Sequence, residues 1–109
     1  MDKQTVLNFI HHFKDAQNTF LNGCCYWFCY ILSARFGGET YYEPIEGHFI
    51  QMINGDFFDV RGEVTHLYRD KKSLIRWDGY EYIDPTHYRH IVRDCVKKER
   101  FEDDEIHRT

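Results

Sequence analysis

A cysteine, a histidine and an aspartate are spaced along this chain so that they could act together on a carbonyl group. Cys25 follows the turn residues 22–24 and starts an apolar segment, so it lies at the predicted N-terminus of a helix. Unpaired N–H groups at a helix start favour the thiolate, which is the nucleophilic form of cysteine. His48 would take the thiol proton and return it to the leaving group, while Asp59 would orient the imidazole. These residue types predict nucleophilic thiol catalysis.

A hairpin is predicted to bring His48 and Asp59 to the same face of a sheet. Asn54 and Gly55 are the favoured pair for a two-residue turn, and β-prone segments flank them. This turn sets Ile50 opposite Asp59, which makes His48 and Asp59 diagonal neighbours at ~7–8 Å. A slip of one residue would place the two side chains on opposite faces. The proposed site therefore depends on the register.

The chain has four cysteines, and Cys25 is the preferred nucleophile because it lies nearest the predicted helix start. Cys24 is one residue earlier and stays open as the alternative functional thiol. Cys29 lies one turn into a helix that is predicted to be buried, and Cys95 lies on an apolar stripe of the last helix. Both are predicted to be small buried hydrophobic side chains.

An oxyanion hole would complete such a site. The backbone N–H of Cys25, together with a side-chain amide such as that of Asn22 or Gln17, could supply it. No metal or cofactor is expected, because the chain has no Cys-x-x-Cys pair and its ligand spacing fits no common zinc site. Zinc remains a third alternative, with the candidate ligands Cys24, Cys25, Cys29, His48 and Asp59.

The pattern along the chain predicts an α+β domain over residues 1–101. A first helix is expected over about residues 3–16, followed by a break at 17–19 and a central buried helix over about residues 25–36. The central helix would pack on a small antiparallel sheet built from 40–42, the hairpin, 63–68 and 80–83. Residues 73–77 fit a helical turn or a strand equally. Asp84 and Pro85 would start a C-terminal helix, and residues 102–109 form an acidic tail.

Composition excludes several classes of protein. The 109 residues include 42% hydrophobic and 17% aromatic residues, which is enough for one core. The formal charge of −4 argues against nucleic-acid binding, since phosphate contacts need a basic surface. No apolar run reaches the ~20 residues of a membrane span, and the N-terminus has no signal-peptide core. A cytoplasmic protein with reduced cysteines is expected.

Three short segments of the chain resemble one family of enzymes. Residues 23–28, then Gly47-His48-Phe49, then Phe58-Asp59 followed by Gly62 resemble the core of papain-like-fold cysteine peptidases and amidases. The order Cys, His, Asp is similar to the small cell-wall amidase and transglutaminase-like branches, and the chain also resembles short phage and bacterial proteins. The resemblance covers residues 20–62. It implies hydrolysis of a peptide or amide bond, with Cys25, His48 and Asp59 as thiol, base and orienting group.

A non-catalytic protein-binding module is the alternative function. Small acidic phage-type proteins often act by docking on a host protein, for example as inhibitors of a host factor. The negative charge and four tyrosines expected at the surface would suit an interface; these are Tyr41, Tyr42, Tyr80 and Tyr82. Under either hypothesis the partner is a peptide or protein, and the oligomeric state stays open.

Overall fold

The fold is an antiparallel sheet with helices packed on it. The structure is a computed structural model, and it describes residues 2–21 and 24–97. The helices there are α1 (Lys3–His11), α2 (Gln17–Leu21), α3 (Cys25–Phe36), α4 (Thr65–Tyr68), α5 (Tyr80–Ile83) and α6 (Pro85–Ile91). The strands are β1 (Glu39–Glu43), β2 (His48–Ile53), β3 (Asp56–Asp59), β4 (Gly62–Glu63) and β5 (Ile75–Arg76). The sheet order is β4-β3-β2-β1-β5, with every neighbouring pair antiparallel. The predicted α+β class is confirmed.

Helix α3 is the central helix, as predicted, and it packs chiefly on β2. Its side chains Phe28 and Leu32 are almost wholly buried, and they join a core cluster with residues from α1, β2 and β3. The helix ends at two glycines. A Cβ on Gly38 would lie 2.0 Å from the carbonyl oxygen of Met52, so only glycine allows this close approach to β2.

The hairpin of β2 and β3 has the predicted register. Ile53 pairs with Asp56, and the next pairs follow in step. Asn54 and Gly55 have positive φ values of 53° and 85°, the left-handed conformation that a two-residue turn of this kind requires. The prediction that His48 and Asp59 lie on adjacent strands of one hairpin is therefore confirmed.

The N-terminal region is divided where one helix was predicted. Asp2 caps α1 by accepting the backbone N–H of Thr5 at 2.8 Å, but α1 ends at His11. A 3-10 turn at Lys14–Ala16 leads into α2, so the predicted break at 17–19 is wrong. The bend brings Phe13 and Phe20 against Phe28, with ring centroids 5.2 and 5.1 Å away. Aromatic packing thus decides where the helices lie.

The predicted strand at 63–68 is wrong beyond Glu63. Strand β4 pairs only through Gly62 and Glu63, and the chain then turns into α4. The hydroxyl of Thr65 accepts a hydrogen bond from the backbone N–H of Phe57 at 2.9 Å. This N–H on β3 therefore bonds to a side chain and not to the backbone of a neighbouring strand. A side chain therefore ends this ladder.

The predicted strand at 80–83 is also wrong, since these residues form α5. Gly79 takes a φ of 85° and turns the chain away from the sheet directly after β5. The N–H of Tyr80 then bonds to the carbonyl of Trp77 at 3.1 Å. The ambiguous segment 73–77 contains the two-residue strand β5.

The last predicted helix is confirmed as α6, which a π-helical turn at Val92–Lys97 follows. Asp84 caps it by accepting the backbone N–H of His87, and Pro85 is its first residue. The predicted acidic tail lies outside the described residues. Within residues 2–21 and 24–97, no helix has the length and apolar character needed to cross a membrane.

Phe28 should contribute strongly to stability, because it is 1% exposed and its ring contacts Phe13 and Phe20. We expect Phe28→Ala to lower the free energy of unfolding by about 3–5 kcal/mol in urea titrations. Tyr30→Ala on the same helix is the matched control, since Tyr30 is exposed. Its expected change is within about 0.5 kcal/mol. Similar losses in the two variants would contradict this packing.

Candidate active site

The side chains of His48 and Asp59 form a buried hydrogen-bonded pair. His48 is the first residue of β2 and Asp59 is the last residue of β3, so the hairpin register sets their separation. The imidazole Nε2 lies 2.9 Å from Asp59 Oδ2. Both residues are less than a tenth exposed, at 7% and 3%. The pair is thus largely shielded from water.

Cys25 is the second side-chain partner of the same imidazole. It is the first residue of α3, and its thiol interacts with the imidazole of His48 closely enough to raise the pKa of that ring. Because Nε2 faces Asp59, Nδ1 is the ring nitrogen left for the sulfur. The structure therefore brings together the three residues that the sequence singled out, with His48 between the other two.

The surroundings of His48 favour its charged form. Burial lowers the pKa of this imidazole, but the hydrogen bonds to Asp59 and Cys25 outweigh that effect and raise it from 6.5 to about 9. An imidazolium donates from both ring nitrogens, so it can serve the carboxylate and the sulfur simultaneously. The ring packs near Tyr68, with the two rings at 29° and their centroids 6.3 Å apart.

Asp59 is held by Arg61 as well as by His48. Burial alone would raise the pKa of this carboxyl, but hydrogen bonds from His48 and Arg61 hold it below its usual range. Arg61 bonds through its backbone N–H, at 2.8 Å from Oδ1, and through a guanidinium that reaches both carboxylate oxygens. Arg61 was not among the site residues predicted from the sequence. Its position two residues after Asp59 and before a glycine was the available signal.

A polar network extends from Arg61 to the surface. Its Nη2 donates to the hydroxyl of Tyr68 at 3.3 Å, and that hydroxyl donates to Glu46 at 2.9 Å. Lys71 lies 2.9 Å from the other oxygen of Glu46. Burial, opposed by Arg61 and assisted by Glu46, raises the pKa of Tyr68 to about 12, so this phenol stays protonated. These residues too escaped the sequence analysis, because they are distant along the chain.

The remaining predicted residues lie around this centre. Cys29 is buried as expected, and burial raises the pKa of its thiol well above the usual value. Cys24 is half-buried at the N-cap position of α3. Gln17 lines a neighbouring cleft between α1 and residues 60–62. Asn22 and the side chain of Cys95 lie outside the described part of the chain.

An open depression of about 260 Å³ gives access to the imidazole. It is lined by Leu21, Glu46, Gly47, His48 and Arg61. A ligand could therefore approach the histidine between a carboxylate and a guanidinium. Over residues 2–21 and 24–97, no three His, Cys, Asp or Glu side chains are grouped so that they could hold a metal ion.

The stability of the fold should depend on pH through His48. Because the folded pKa of about 9 exceeds the ordinary 6.5, protonation stabilises the fold fully below pH 6.5, and this contribution is lost as pH rises through 9. The expected loss between about pH 6 and about pH 10 is at most about 3 kcal/mol in the free energy of urea unfolding. The variant His48→Gln should lack this component.

His66→Gln is the control for this measurement, because His66 is exposed on α4. Its stability should change with pH as the wild type does. Identical pH dependence in wild type and His48→Gln would rule out a shifted histidine at this position.

Comparison with known proteins identifies a family for the chain. A family model described as Phage YunG-like protein matches residues 4–107. No curated protein and no solved structure matches. The match extends over almost the whole chain, including the helix that carries Cys25 and the hairpin that carries His48 and Asp59. The chain therefore belongs to the Phage YunG-like family.

Proposed function

We propose that this protein is a cysteine hydrolase that cleaves a peptide or amide bond with Cys25, His48 and Asp59. One observation carries the proposal: a single buried imidazole is hydrogen-bonded to a carboxylate and also interacts with the thiol at a helix start, and both interactions raise its pKa. Buried His–Asp pairs also occur as packing features. The cysteine beside the imidazole distinguishes this arrangement, because it supplies a nucleophile to the base.

The reaction would begin with the sulfur as thiolate and His48 as imidazolium. The sulfur attacks the carbonyl carbon, and the developing oxyanion accepts a hydrogen bond from the backbone N–H of Cys25, which has no partner within the helix at this position. His48 then protonates the leaving amine, and the acyl group stays on the sulfur. In the second step neutral His48 takes a proton from water, which attacks the thioester and releases the acid.

The choice of oxyanion donor remains part of this proposal. The backbone N–H of Cys25 is favoured because it belongs to the nucleophile itself. Gln17 is less favoured, because the cleft that it lines lies beside Arg61 and Gly62. Asn22 lies outside the described residues, so its amide is kept only as a sequence-based candidate.

The architecture supports a papain-like core as the finer description of this fold. A buried helix starts at the cysteine and packs on an antiparallel sheet, and neighbouring strands carry the histidine and the aspartate. The chain order Cys, His, Asp is the one that the resemblance implies. On this proposal the substrate is a peptide or protein, and the chain needs no metal or cofactor for the reaction.

Acylation of Cys25 is the direct test. With p-nitrophenyl acetate as the probe, we expect a burst of nitrophenolate that approaches one equivalent per chain, followed by slower turnover. Cys25→Ser should abolish the burst. His48→Ala should slow acylation by about 10²–10⁴-fold, because it removes the group that holds the thiol proton. Mass spectrometry of the quenched protein should place the acetyl group on Cys25.

The neighbouring cysteines provide the matched controls. Cys24→Ser and Cys29→Ser should keep the burst, because Cys24 precedes the helix and Cys29 is buried. A burst that disappears in Cys24→Ser and persists in Cys25→Ser would transfer the nucleophile to Cys24. If the pH dependence of Cys25 alkylation by iodoacetamide is that of an ordinary thiol and is unchanged in His48→Ala, the hydrolase proposal fails.

A protein-binding module is the second candidate, and an exposed apolar pair on α5 favours it. Tyr82 and Ile83 are 85% and 77% exposed. The expected surface of four tyrosines is largely wrong, however, because Tyr42 is buried and both Tyr41 and Tyr80 are half-buried. On this alternative the chain docks on a host protein and the His48 site is structural. Ordinary reactivity of Cys25 in the alkylation experiment would favour this function.

A further inference from the structure

Arg61 makes an unusual number of contacts to one carboxylate. Its Nε lies 3.2 Å from Asp59 Oδ1 and 3.0 Å from Oδ2, and its Nη2 lies 2.5 Å from Oδ2. Its backbone N–H bonds to Oδ1 at 2.8 Å. Together with His48 Nε2 on Oδ2, these donors occupy both oxygens of Asp59. The carboxylate therefore cannot rotate without breaking several charge-assisted hydrogen bonds.

The local backbone brings Arg61 to this position. Asp59 and Gly62 form the last pair of the β3–β4 hairpin, so Arg61 is the second residue of a two-residue loop. The bond from its N–H to Asp59 Oδ1 is the side-chain-to-backbone contact of an Asx turn. Gly62 has a φ of 115°, a conformation that L side chains rarely adopt. The Arg61 guanidinium thus folds back onto the carboxylate of Asp59, the residue at which the turn begins.

We propose that Arg61 is a positioning residue, which fixes the Asp59 carboxylate by its forked contact and thereby orients the His48 imidazole toward Cys25. This inference rests on the proposed function for its catalytic meaning, but the arrangement itself is testable without turnover. Arg61 touches neither Cys25 nor His48 in any hydrogen bond described for this part of the chain, so it acts through Asp59.

Among the groups near the imidazole, Arg61 is well placed to fix the Asp59 carboxylate. Besides Asp59 and Cys25, the stacked phenol of Tyr68 and the more distant charge of Glu46 also interact with His48. The hydroxyl of Tyr68 is engaged by Arg61 and Glu46. Arg61 therefore contacts both the hydrogen-bond acceptor of the imidazole and the hydroxyl of the tyrosine that packs beside it. A lysine could keep the charge but not the fork.

The imidazole Nε2–H proton reports this arrangement directly. In protein labelled with 15N-histidine, we expect a downfield Nε2–H resonance that exchanges slowly with water, assigned to His48 by its loss in His48→Gln. In Arg61→Gln the exchange should be at least about tenfold faster, because Asp59 loses the hydrogen bonds from the guanidinium. Arg61→Lys should fall between the wild type and Arg61→Gln.

Arg76→Gln is the matched control. Arg76 also pairs with a carboxylate at 2.8 Å, on Glu39 at the other side of the sheet. This variant should keep the wild-type exchange rate, while circular dichroism and urea titration establish that each variant is folded. The proposal is overturned if folded Arg61→Gln exchanges within about twofold of the wild type. If Arg61→Gln does not fold, wild-type exchange in Arg61→Lys overturns it instead.

Acylation separates this inference from the hydrolase proposal. Faster exchange in Arg61→Gln supports the positioning role whether or not the wild type shows an acyl burst. A wild-type burst with unchanged exchange in folded Arg61→Gln would keep the hydrolase and reject the role of Arg61. If the protein is a hydrolase and Arg61 positions His48, Arg61→Gln should slow acylation while Cys25 remains the acetylated residue.

Discussion

The buried negative charge of Asp59 is the constraint on which the site depends. The carboxylate is 3% exposed, and a charge at such a position is costly unless donors compensate it. Arg61 and His48 both provide that compensation by donating hydrogen bonds to the carboxylate. Because His48 serves as one of these donors, its protonated form is favoured, and its ring has little freedom to turn. The second ring nitrogen is then available to Cys25.

The features that follow from local rules could be predicted from the sequence. The bounds of α3 follow from an apolar run between a turn and two glycines, and the structure has the helix at Cys25–Phe36. The turn residues Asn54 and Gly55 determine the register, and the register determines that His48 and Asp59 meet. The proximity of Cys25 was a weaker expectation, because it also requires α3 to pack on β2 with its first residue at the correct end of the sheet.

Features that depend on competition between segments could not be predicted. Residues 80–83 alternate in the manner of a strand, yet no strand pairs with them because Gly79 redirects the chain. The hydroxyl of Thr65 replaces a backbone partner on β3 and ends the sheet there. Arg61 had only a short local signal, and nothing in the sequence states that its guanidinium folds back on Asp59. These choices depend on three-dimensional contacts.

The polar network makes site geometry and fold stability parts of one system. Glu46 in the β1–β2 turn, Tyr68 on α4 and Arg61 in the β3–β4 loop meet around the imidazole, although Glu46 is 22 residues from Tyr68 in the sequence. The hydroxyl of Tyr68 bonds to both Arg61 and Glu46, so removing one of these side chains leaves another without one of its hydrogen bonds. Buried polar networks specify a structure only when all their members are satisfied. The contacts that join these segments therefore also orient His48 toward Cys25.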